Sequence, residues 1–466
     1  MDITEMEKDK SKSNKVAKGI IISFCALIVI YIGVAQYFQS HFYFGSKING
    51  ISVSGKTVGE TKTKMASALQ SYALTIKERD GKTETIKSQD INVKYSSGSE
   101  YQKLKNSQNP YKWILGVFSS GNSKMTDGVS YDSNLLKQKI DKLSCVAGSK
   151  VVEPKSPSFK YTDKGYVVVN EVMGNKVNKD ALYKAAEKAV LDQQSTIDME
   201  TSGCYVSPKY TSKSPKVNTT KELLNKYVAT KVTYEFGNQK ESVDGSEINK
   251  WLNVNDNLDV TIDQNQEKTY LKGIFGKYNT VGKTRSFTTS SGNTVSVSGG
   301  DYGWLVNTNK EMQNLNDAIK KGQTITEQPT YSQKAASHDA NDIGNTYVEV
   351  DLSKQHVWFY KNGSLVTQGD VVTGNVSLND ATPPGVYSVK YKERNATLKG
   401  QGYASPVSYW MPFNGGIGLH DAPWRQGQFG GSIYLNGGSH GCVNCPPELA
   451  ETIFNNIDAG TPVVCF

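Results

Sequence analysis

The sequence of 466 residues is long enough for two to four domains, each with its own core. Its 37% hydrophobic and 10% aromatic residues suffice for globular folding and exclude a generally disordered chain. The net charge of +8 comes from scattered lysines, which indicate either a solvated surface or attraction to an anionic matrix. Because RNP, zinc-finger and helix-turn-helix patterns are missing from the sequence, nucleic acid is not an expected partner.

The N-terminal segment predicts a transmembrane helix. Residues 19–38 read GIIISFCALIVIYIGVAQYF, without a charged side chain, and roughly 20 apolar residues cross a bilayer core. Lysines concentrate before this segment, so residues 1–18 are predicted to be a cytoplasmic tail. A cleaved signal peptide is the alternative, although its apolar region usually has about 7–15 residues. We expect a single-pass cell-membrane protein whose remaining domains lie outside the cytoplasm.

Two stretches with a similar pattern follow the apolar segment. Residues 57–71 predict a capped helix, and strand-like alternation with a turn follows it. The alternating stretch VTYEFGNQKESVDGSEINKWL aligns with the first at an offset of 157 residues, and helix-like residues 181–191 precede it. The sequence therefore predicts two copies of one α+β module, at 45–150 and 165–331.

The last domain is predicted at 345–466, after a polar linker at 332–344. Its strand-like segments include YVEVD, HVWFY, TPPGVYSVK, SYWMPFNGGIGLH and GSIYLNGG, and its one clear helix is PPELAETIFNNIDAG. The expected architecture is multidomain, with an N-terminal transmembrane helix, two α+β modules and a C-terminal mostly-β domain.

The segment NGGSHGCVNCPPE, which starts at Asn436, matches three motifs of different chemistry. The first is the G-x-S-x-G of a serine hydrolase, centred on Ser439. In an α/β-hydrolase a histidine follows the nucleophile later in the chain, yet the last histidine here is the adjacent His440. The preceding sequence also lacks crossover helices, so this interpretation is rejected.

The second motif is the C-x-x-C of Cys442 and Cys445, which suits zinc or redox chemistry. A thioredoxin-like site needs a βαβ pattern before the motif, and the sequence does not have one. A zinc site could be completed by His420 and Cys465, although the spacing is irregular. Zinc therefore remains an open alternative.

The third interpretation is a cysteine nucleophile, which needs a thiol, a base and donors for an oxyanion. Cys442 supplies the thiol, and the preceding Gly441 lets backbone amides face an acyl oxygen. His420 lies 22 residues upstream, at the end of the predicted strand GGIGLH, from which it can reach the same pocket. His440 is the alternative base.

These residues resemble a known family. His420, 18 intervening residues and then Ser439-His440-Gly441-Cys442-Val443-Asn444 resemble the signature of the L,D-transpeptidase (YkuD) catalytic domain. The resemblance extends over residues 345–466. The upstream modules resemble the peptidoglycan-binding modules often joined to such domains, through INGISVSGKT, KESVDGSEINKWL and GGDYGW.

The resemblance implies a peptidoglycan L,D-transpeptidase, an acyltransferase. Cys442 would attack a tetrapeptide donor stem, release D-alanine and pass the acyl group to an amine of a neighbouring acceptor stem. His420 would accept and return the proton, held by the backbone carbonyl of Asp421, and Gly441 would supply an oxyanion amide. An L,D-carboxypeptidase and a catalytically lapsed cell-wall binding protein are the alternatives.

The resemblance also implies a substrate pocket without cofactors. No metal or other cofactor is expected, because the thioester conserves the energy of the cleaved amide. Carbapenems are expected to acylate the same thiol. A disulfide or shared metal between Cys442 and Cys445 would inactivate it, and the sequence leaves this open. The residues expected to bind substrate are Ser439, His440, Asn444, Trp424 and Tyr409.

Overall fold

The computed structural model describes residues 3–95, 99–119, 121–125, 129–148, 150–400 and 402–466. The chain divides into two compact units. The first comprises Met1–Ser158 and Val169–Ser214, and the second comprises Phe159–Val168 and Pro215–Phe466.

Residues 3–214 contain short helices and strands that follow one long N-terminal helix. The helices are α1 (Ile3–Tyr37), α2 (Val58–Gln70), α3 (Glu100–Asn106), α4 (Trp113–Ser119), α5 (Ser133–Asp141), α6 (Ser144–Ala147) and α7 (Lys179–Leu191). The strands are β1 (Lys47–Ile48), β2 (Ile51–Ser52), β3 (Ala73–Lys77), β4 (Thr83–Lys87), β5 (Lys94–Tyr95), β6 (Asn122–Ser123), β7 (Val129–Ser130), β8 (Ser158–Thr162), β9 (Gly165–Val169) and β10 (Thr196–Asp198).

Helix α1 includes the apolar segment. Its stretch Ser13–Tyr37 has a mean hydropathy of 2.3, and only 6% of its most apolar window is buried. A helix of this length and composition can cross a membrane, and a signal sequence has the same features. Within the described residues it is the one helix with these properties.

The first unit contains a three-stranded sheet with β3 at its centre. Strand β3 pairs antiparallel with β4 and parallel with β10, where Thr75 faces Thr196. Helix α7 leads into β10 and buries Leu182 and Ala186 beside Leu74. Assigning residues 181–191 to the second module is therefore wrong, because a parallel third strand needs a crossover helix and α7 provides it.

The second unit begins, after the β8–β9 hairpin, with a module of the same design. Its helices are α8 (Pro215–Val228), α9 (Gly245–Ile248), α10 (Gln264–Tyr278) and α11 (Thr308–Lys321). Its strands are β11 (Lys231–Phe236), β12 (Gln239–Val243), β13 (Leu252–Val254), β14 (Val260–Ile262), β15 (Arg285–Thr288), β16 (Thr294–Val297), β17 (Leu305–Val306), β18 (Thr324–Glu327) and β19 (Tyr331–Gln333).

The two modules share one sheet topology. Strand β11 is central, antiparallel to β12 and parallel to β18, as β3 is to β4 and β10. The predicted offset of 157 residues between the modules agrees with the structure. Ile86 and Val243, which are 157 residues apart, are both buried at matching positions in the two hairpins. Helix α8, which was not predicted from the sequence, takes the place of α2. The prediction of two α+β modules is confirmed.

The C-terminal region is mostly β, as predicted. Its strands are β20 (Tyr347–Asp351), β21 (His356–Lys361), β22 (Ser364–Asp370), β23 (Gly385–Ser388), β24 (Glu393–Gly400), β25 (Tyr403–Asn414), β26 (Ile417–Asp421), β27 (Val443–Cys445) and β28 (Pro462–Cys465). Its helices are α12 (Ile433–Gly437) and α13 (Pro447–Asn456). The prediction of a strand in GSIYLNGG is wrong. This segment forms α12, because the N–H of Leu435 bonds locally to the Ser432 carbonyl.

Two sheets enclose the core of this region. One has the order β22-β21-β20-β28-β23 and the other the order β24-β25-β26-β27. Helix α13 begins with Pro447 at its first turn and buries Leu449 and Ile453 in the same core. Fully burying such an aliphatic side chain contributes about 1.5–3 kcal/mol, so this packing fixes β26 and β27 firmly.

The predicted linker at 332–344 is packed at its C-terminal end. Asp342 forms a buried ion pair with Arg285 of β15, with Nε and Oδ1 2.6 Å apart, and Ile343 is fully buried. Arg285 also donates to the Tyr302 carbonyl at 2.9 Å. These contacts join the linker to the second module.

Candidate active site

The site lies where β26 and β27 run parallel. Leu419 pairs with Val443, and His420 pairs with Asn444. Cys442 immediately precedes β27, so its side chain and that of His420 line one cavity of about 210 Å³. Parallel pairing thus unites two residues that stand far apart in the chain.

The Cys442 thiol is enclosed by backbone and apolar side chains. It donates to the Gly416 carbonyl at 3.5 Å, and the Gly418 N–H donates to it. The side chain is 9% exposed and packs with Trp410 and Val407. Burial raises the pKa of Cys442 to about 11, against the weaker opposing effect of the Gly418 N–H. The resting residue is therefore a protonated thiol at neutral pH.

The His420 ring is buried and held at both nitrogens. Its Nδ1 lies 2.8 Å from the carbonyl oxygen of Asp421. Burial lowers the pKa of His420 below its ordinary value, and the Asp421 carbonyl opposes this effect only in part. A neutral ring that donates from Nδ1 leaves Nε2 as the basic nitrogen.

Asn444 connects this nitrogen to an arginine. With the amide oriented to satisfy its neighbours, the nitrogen lies 3.1 Å from His420 Nε2, and the oxygen accepts from Arg425 Nε at 2.8 Å and Nη2 at 3.1 Å. A donor at Nε2 favours the neutral imidazole, in agreement with the lowered pKa of His420.

The loop before Cys442 is fixed by short side-chain bonds. Ser439 Oγ donates to the Cys442 carbonyl at 2.5 Å and accepts from the Gly441 N–H at 3.1 Å. Gly441 has a φ of 108°, and a Cβ there would lie 2.9 Å from Ile417 Cδ1. Thr382 Oγ1 donates to the Gly441 carbonyl at 2.7 Å. Only glycine suits this position.

Most residues predicted to bind substrate line the cavity. Ser439, His440, Asn444 and Trp424 do so together with Arg425. Trp424 is 47% exposed at the cavity, with its ring 5.9 Å from that of His420.

Tyr409 is the exception among the predicted substrate-binding residues. Its ring packs 5.4 Å from that of Phe454 in α13, and the Arg394 guanidinium lies over it at 5.1 Å. The next residue in β25, Trp410, faces the site instead and pairs with His420 across the sheet. Strand alternation explains the difference, because neighbouring side chains point to opposite faces.

Four contributors to the site were not predicted from the sequence. Trp410, Arg425, Gly418 and Thr382 contact Cys442, Asn444 or Gly441. Thr382 begins the TPPGVY stretch that carried part of the resemblance, so a signal for it was present. The others come from segments that only the fold brings close.

The hypothesis of a disulfide or a zinc site that joins Cys442 and Cys445 is wrong. Cys445 is fully buried in the core with Val443, whereas Cys442 and Asn444 line the cavity. The thiol of Cys445 donates to the Val443 carbonyl at 3.6 Å, and burial raises its pKa. Among the described residues, the group placed closely enough to share a metal is Glu78, Glu84 and Cys145 in the first unit.

Comparison with known families agrees with this site. Residues 345–465 match the family model described as "L,D-transpeptidase catalytic domain" (YkuD). Residues 84–198 and 210–326 match the model described as "Putative peptidoglycan binding domain". Both modules and the C-terminal region thus have counterparts in known families.

Two solved structures are similar to this chain in sequence. The chain is 37% identical to the "Ldtfm-avibactam carbamoyl enzyme", covering 54% of this chain and 98% of that one, with a TM-score of 0.45. It is 36% identical to a cysteine-to-serine mutant of Enterococcus faecium L,D-transpeptidase, covering 54% of this chain and all of that one, with a TM-score of 0.44.

A curated relative matches over a shorter stretch. "Probable L,D-transpeptidase 3" of Mycobacterium tuberculosis is 33% identical over 94 residues, which are 18% of this chain and 33% of that protein. The chain thus spans about a third of this relative's length. The family model and the sequence identity together show that the chain belongs to the L,D-transpeptidase family.

Proposed function

We propose that this protein is a peptidoglycan L,D-transpeptidase that makes cross-links between third-position residues of stem peptides. The observation that carries the proposal is the cavity shared by Cys442, His420 and the Gly438–His440 loop, whose Ser439 hydroxyl accepts from the Gly441 N–H. Acyl transfer through a thioester requires a thiol, a base and backbone N–H donors for the oxyanion, and the residues around this cavity supply all three.

Acylation begins with the neutral thiol and the neutral imidazole. His420 Nε2 takes the thiol proton, and the Cys442 sulfur attacks the carbonyl carbon that precedes the terminal D-alanine of a tetrapeptide stem. The amide bond breaks, the D-alanine amine takes the proton from His420, and a thioester remains on Cys442. The Asp421 carbonyl supports this exchange because it holds Nδ1 and keeps the ring in one tautomer.

Deacylation regenerates the thiol. An amine of a neighbouring stem attacks the thioester carbonyl, and its proton returns to the Cys442 sulfur through His420. Water in place of the amine gives an L,D-carboxypeptidase. No cofactor enters this sequence of steps, because the thioester conserves the energy of the first amide.

Two hydrogen bonds of the resting site would have to change during the reaction. The Gly441 N–H would exchange Ser439 Oγ for the developing oxyanion, and Asn444 would leave Nε2 when the proton arrives there. Substrate contacts with Trp424 and His440 at the cavity would accompany this change. Carbapenems are proposed to acylate the same thiol, as the solved structure of Enterococcus faecium L,D-transpeptidase acylated by ertapenem suggests.

We place the enzyme at the cell membrane, with α1 as a single-pass anchor at 19–38, residues 1–18 in the cytoplasm and the other domains on the cell-wall side. The uncovered apolar surface of α1 supports the anchor. The two modules, predicted at 45–150 and 165–331 but with α7 and β10 belonging to the first, would bind peptidoglycan. The linker at 332–344 would join them to the catalytic domain at 345–466.

Mass spectrometry of the protein incubated with a disaccharide-tetrapeptide tests the proposal. We expect loss of D-alanine together with a cross-linked dimer, and neither product from the Cys442→Ala variant. Loss of D-alanine without dimer would support the carboxypeptidase. An unchanged substrate under reducing conditions would contradict both and favour a cell-wall binding protein without catalysis.

A further inference from the structure

An unpartnered apolar surface lies beside the outer end of α1. The 3-10 turn Pro110–Lys112 and helix α4 form it. Its exposed side chains, here called the α4 outer face, are Tyr111 (58% exposed), Ile114 (45%), Leu115 (69%) and Phe118 (87%). Large apolar side chains grouped in this way on one short segment indicate a binding surface.

The opposite face of α4 packs onto the protein, so the helix is apolar all round. Trp113 and Gly116 lie on this inner face, and a Cβ at Gly116 would lie 2.2 Å from Tyr43 Cε2. Glycine thus allows α4 to approach Tyr43 closely, and the outer face then points away. A helix that is hydrophobic on both faces is normally covered on both.

The position of α4 relative to α1 is set by direct contacts. The Tyr31 hydroxyl of α1 donates to the Tyr111 carbonyl, and its ring lies 5.9 Å from that of Trp113. The Phe38 ring lies 6.2 Å from that of Trp113. Tyr31 lies in the last turns of α1 and Phe38 follows its last residue directly, and Phe38 is fully buried.

A buried lysine strengthens this junction. Lys105 of α3 donates from Nζ to the Phe38 carbonyl at 2.7 Å, at the C-terminal end of α1. A cation at that end satisfies a carbonyl that the helix leaves unpaired. The junction therefore fixes the level of α4 along the axis of α1.

That level falls inside the apolar segment. Tyr31 precedes the last residue of α1 by six positions, which is about 9 Å along a helix axis. If α1 crosses the membrane, as the proposed function has it, the segment that contacts Tyr31 lies among the upper acyl chains of the outer leaflet, just below the headgroups. Tyrosine and tryptophan are enriched at this depth.

We propose that the α4 outer face lies in the outer leaflet of the bilayer as a second, interfacial membrane contact. The exposed Lys112 at the start of the segment is suited to the phosphates of anionic lipids. The contact would hold the first unit against the membrane in one orientation, instead of leaving it free to rotate about α1. The inference rests on the proposed membrane anchor.

Photolabelling of the full chain in vesicles tests this inference. The vesicles contain phosphatidylcholine, phosphatidylglycerol and a phospholipid with a diazirine near its glycerol backbone. After photolysis and trypsin digestion, we expect lipid adducts on peptide 19–47, which reports the anchor, and on peptide 113–124, which reports the α4 outer face. Peptide 362–390 carries Leu378, an apolar side chain with 64% exposure, and serves as the unlabelled control.

A double variant makes the result specific. Leu115→Ser with Phe118→Ser is expected to lower labelling of peptide 113–124 about tenfold while peptide 19–47 is labelled as before. An unchanged thermal unfolding midpoint verifies that the variant folds.

Three results would overturn the inference. If peptide 19–47 is labelled while peptide 113–124 is labelled no more than the control peptide, the interfacial contact is refuted and the anchor is retained. Labelling of neither peptide would refute both. Unlabelled 113–124 together with a dimer that the double variant abolishes, measured by analytical ultracentrifugation in detergent, would assign the surface to self-association.

Discussion

Cys442 and Cys445 are three residues apart in one loop and strand, yet their surroundings are opposite. Cys442 lines a cavity with His420 and receives a hydrogen bond from a backbone amide. Cys445 is fully enclosed in the core of the two sheets. The register of β27 causes the difference, because odd and even positions face opposite sides.

The same C-x-x-C spacing has different consequences in different elements. A C-x-x-C on a helix start or a tight loop brings two thiols together, whereas in a strand it separates them. In the proposed function one cysteine is the nucleophile, while the other serves as a small apolar side chain. Substitutions at the two positions should separate catalysis from stability.

The largest expected effect is that of Cys442→Ala. Loss of the sulfur that forms the thioester should lower cross-linking on the order of 10⁴-fold or more. The thermal unfolding midpoint should change little, because the side chain is small and borders a cavity. Dimer formation is followed by mass spectrometry, with Cys445→Ala as the matched control that keeps its activity. Equal losses of cross-linking activity in the two variants would contradict the different roles of the two cysteines.

His420→Gln removes the base and retains a hydrogen-bonding side chain. We expect about 10²–10⁴-fold slower release of D-alanine, the usual contribution of a general base. Single-turnover kinetics of D-alanine release measure it. His440→Gln, at the same cavity, should have a much smaller effect, and the reverse order would make His440 the base.

The pH dependence of Cys442 alkylation tests its environment. Because burial raises the pKa of Cys442 to about 11, the thiolate fraction should increase with each pH unit below that value. Alkylation by iodoacetamide in the absence of substrate should therefore be about 100-fold faster at pH 9 than at pH 7. Mass spectrometry of the peptide that contains Cys442 follows the rate. A plateau near neutral pH would instead indicate a resting thiolate paired with protonated His420.

Cys445→Ser tests the structural cysteine. A hydroxyl at this fully buried position should lower the free energy of unfolding of the catalytic region by about 1–3 kcal/mol, since it replaces an apolar contact with a polar one. Thermal and urea unfolding measure the loss. The rate of Cys442 acylation in the folded protein should stay within about twofold of the wild type.

The smallest effects are expected for the pair Trp424 and Tyr409. Trp424→Ala should raise KM several-fold, because the exposed ring borders the cavity. Tyr409→Phe should leave KM unchanged, because its ring packs against α13. Steady-state kinetics of D-alanine release give both values. A larger change for Tyr409 would restore its predicted role in substrate binding.

The sequence predicted which residues share the cavity, because most of them lie in one compact motif. The SHGCVN segment and the spacing from His420 depend on one parallel strand pair, β26 and β27. Trp410 and Arg425 could not be found in this way, because their proximity to the site depends on strand pairing and on a loop conformation. Tyr409 was chosen over Trp410 since periodicity alone does not say which face of β25 meets the cavity.

The modules illustrate the same limit. Local patterns predicted both hairpins and α2, with Thr57 as its cap. The assignment of α7 to the second module was wrong because β10 pairs with β3, more than a hundred residues earlier in the chain. A pattern in a short stretch of sequence cannot reveal such parallel pairing.

Localising an ertapenem adduct tests most directly whether the two cysteines differ as described. Residues 426–466 contain no lysine or arginine, so trypsin releases Cys442 and Cys445 in one peptide. Fragmentation of that peptide after incubation of the native protein should place the whole adduct on Cys442. An adduct on Cys445, or one that persists in Cys442→Ala, would contradict the assignment of Cys442 as the nucleophile.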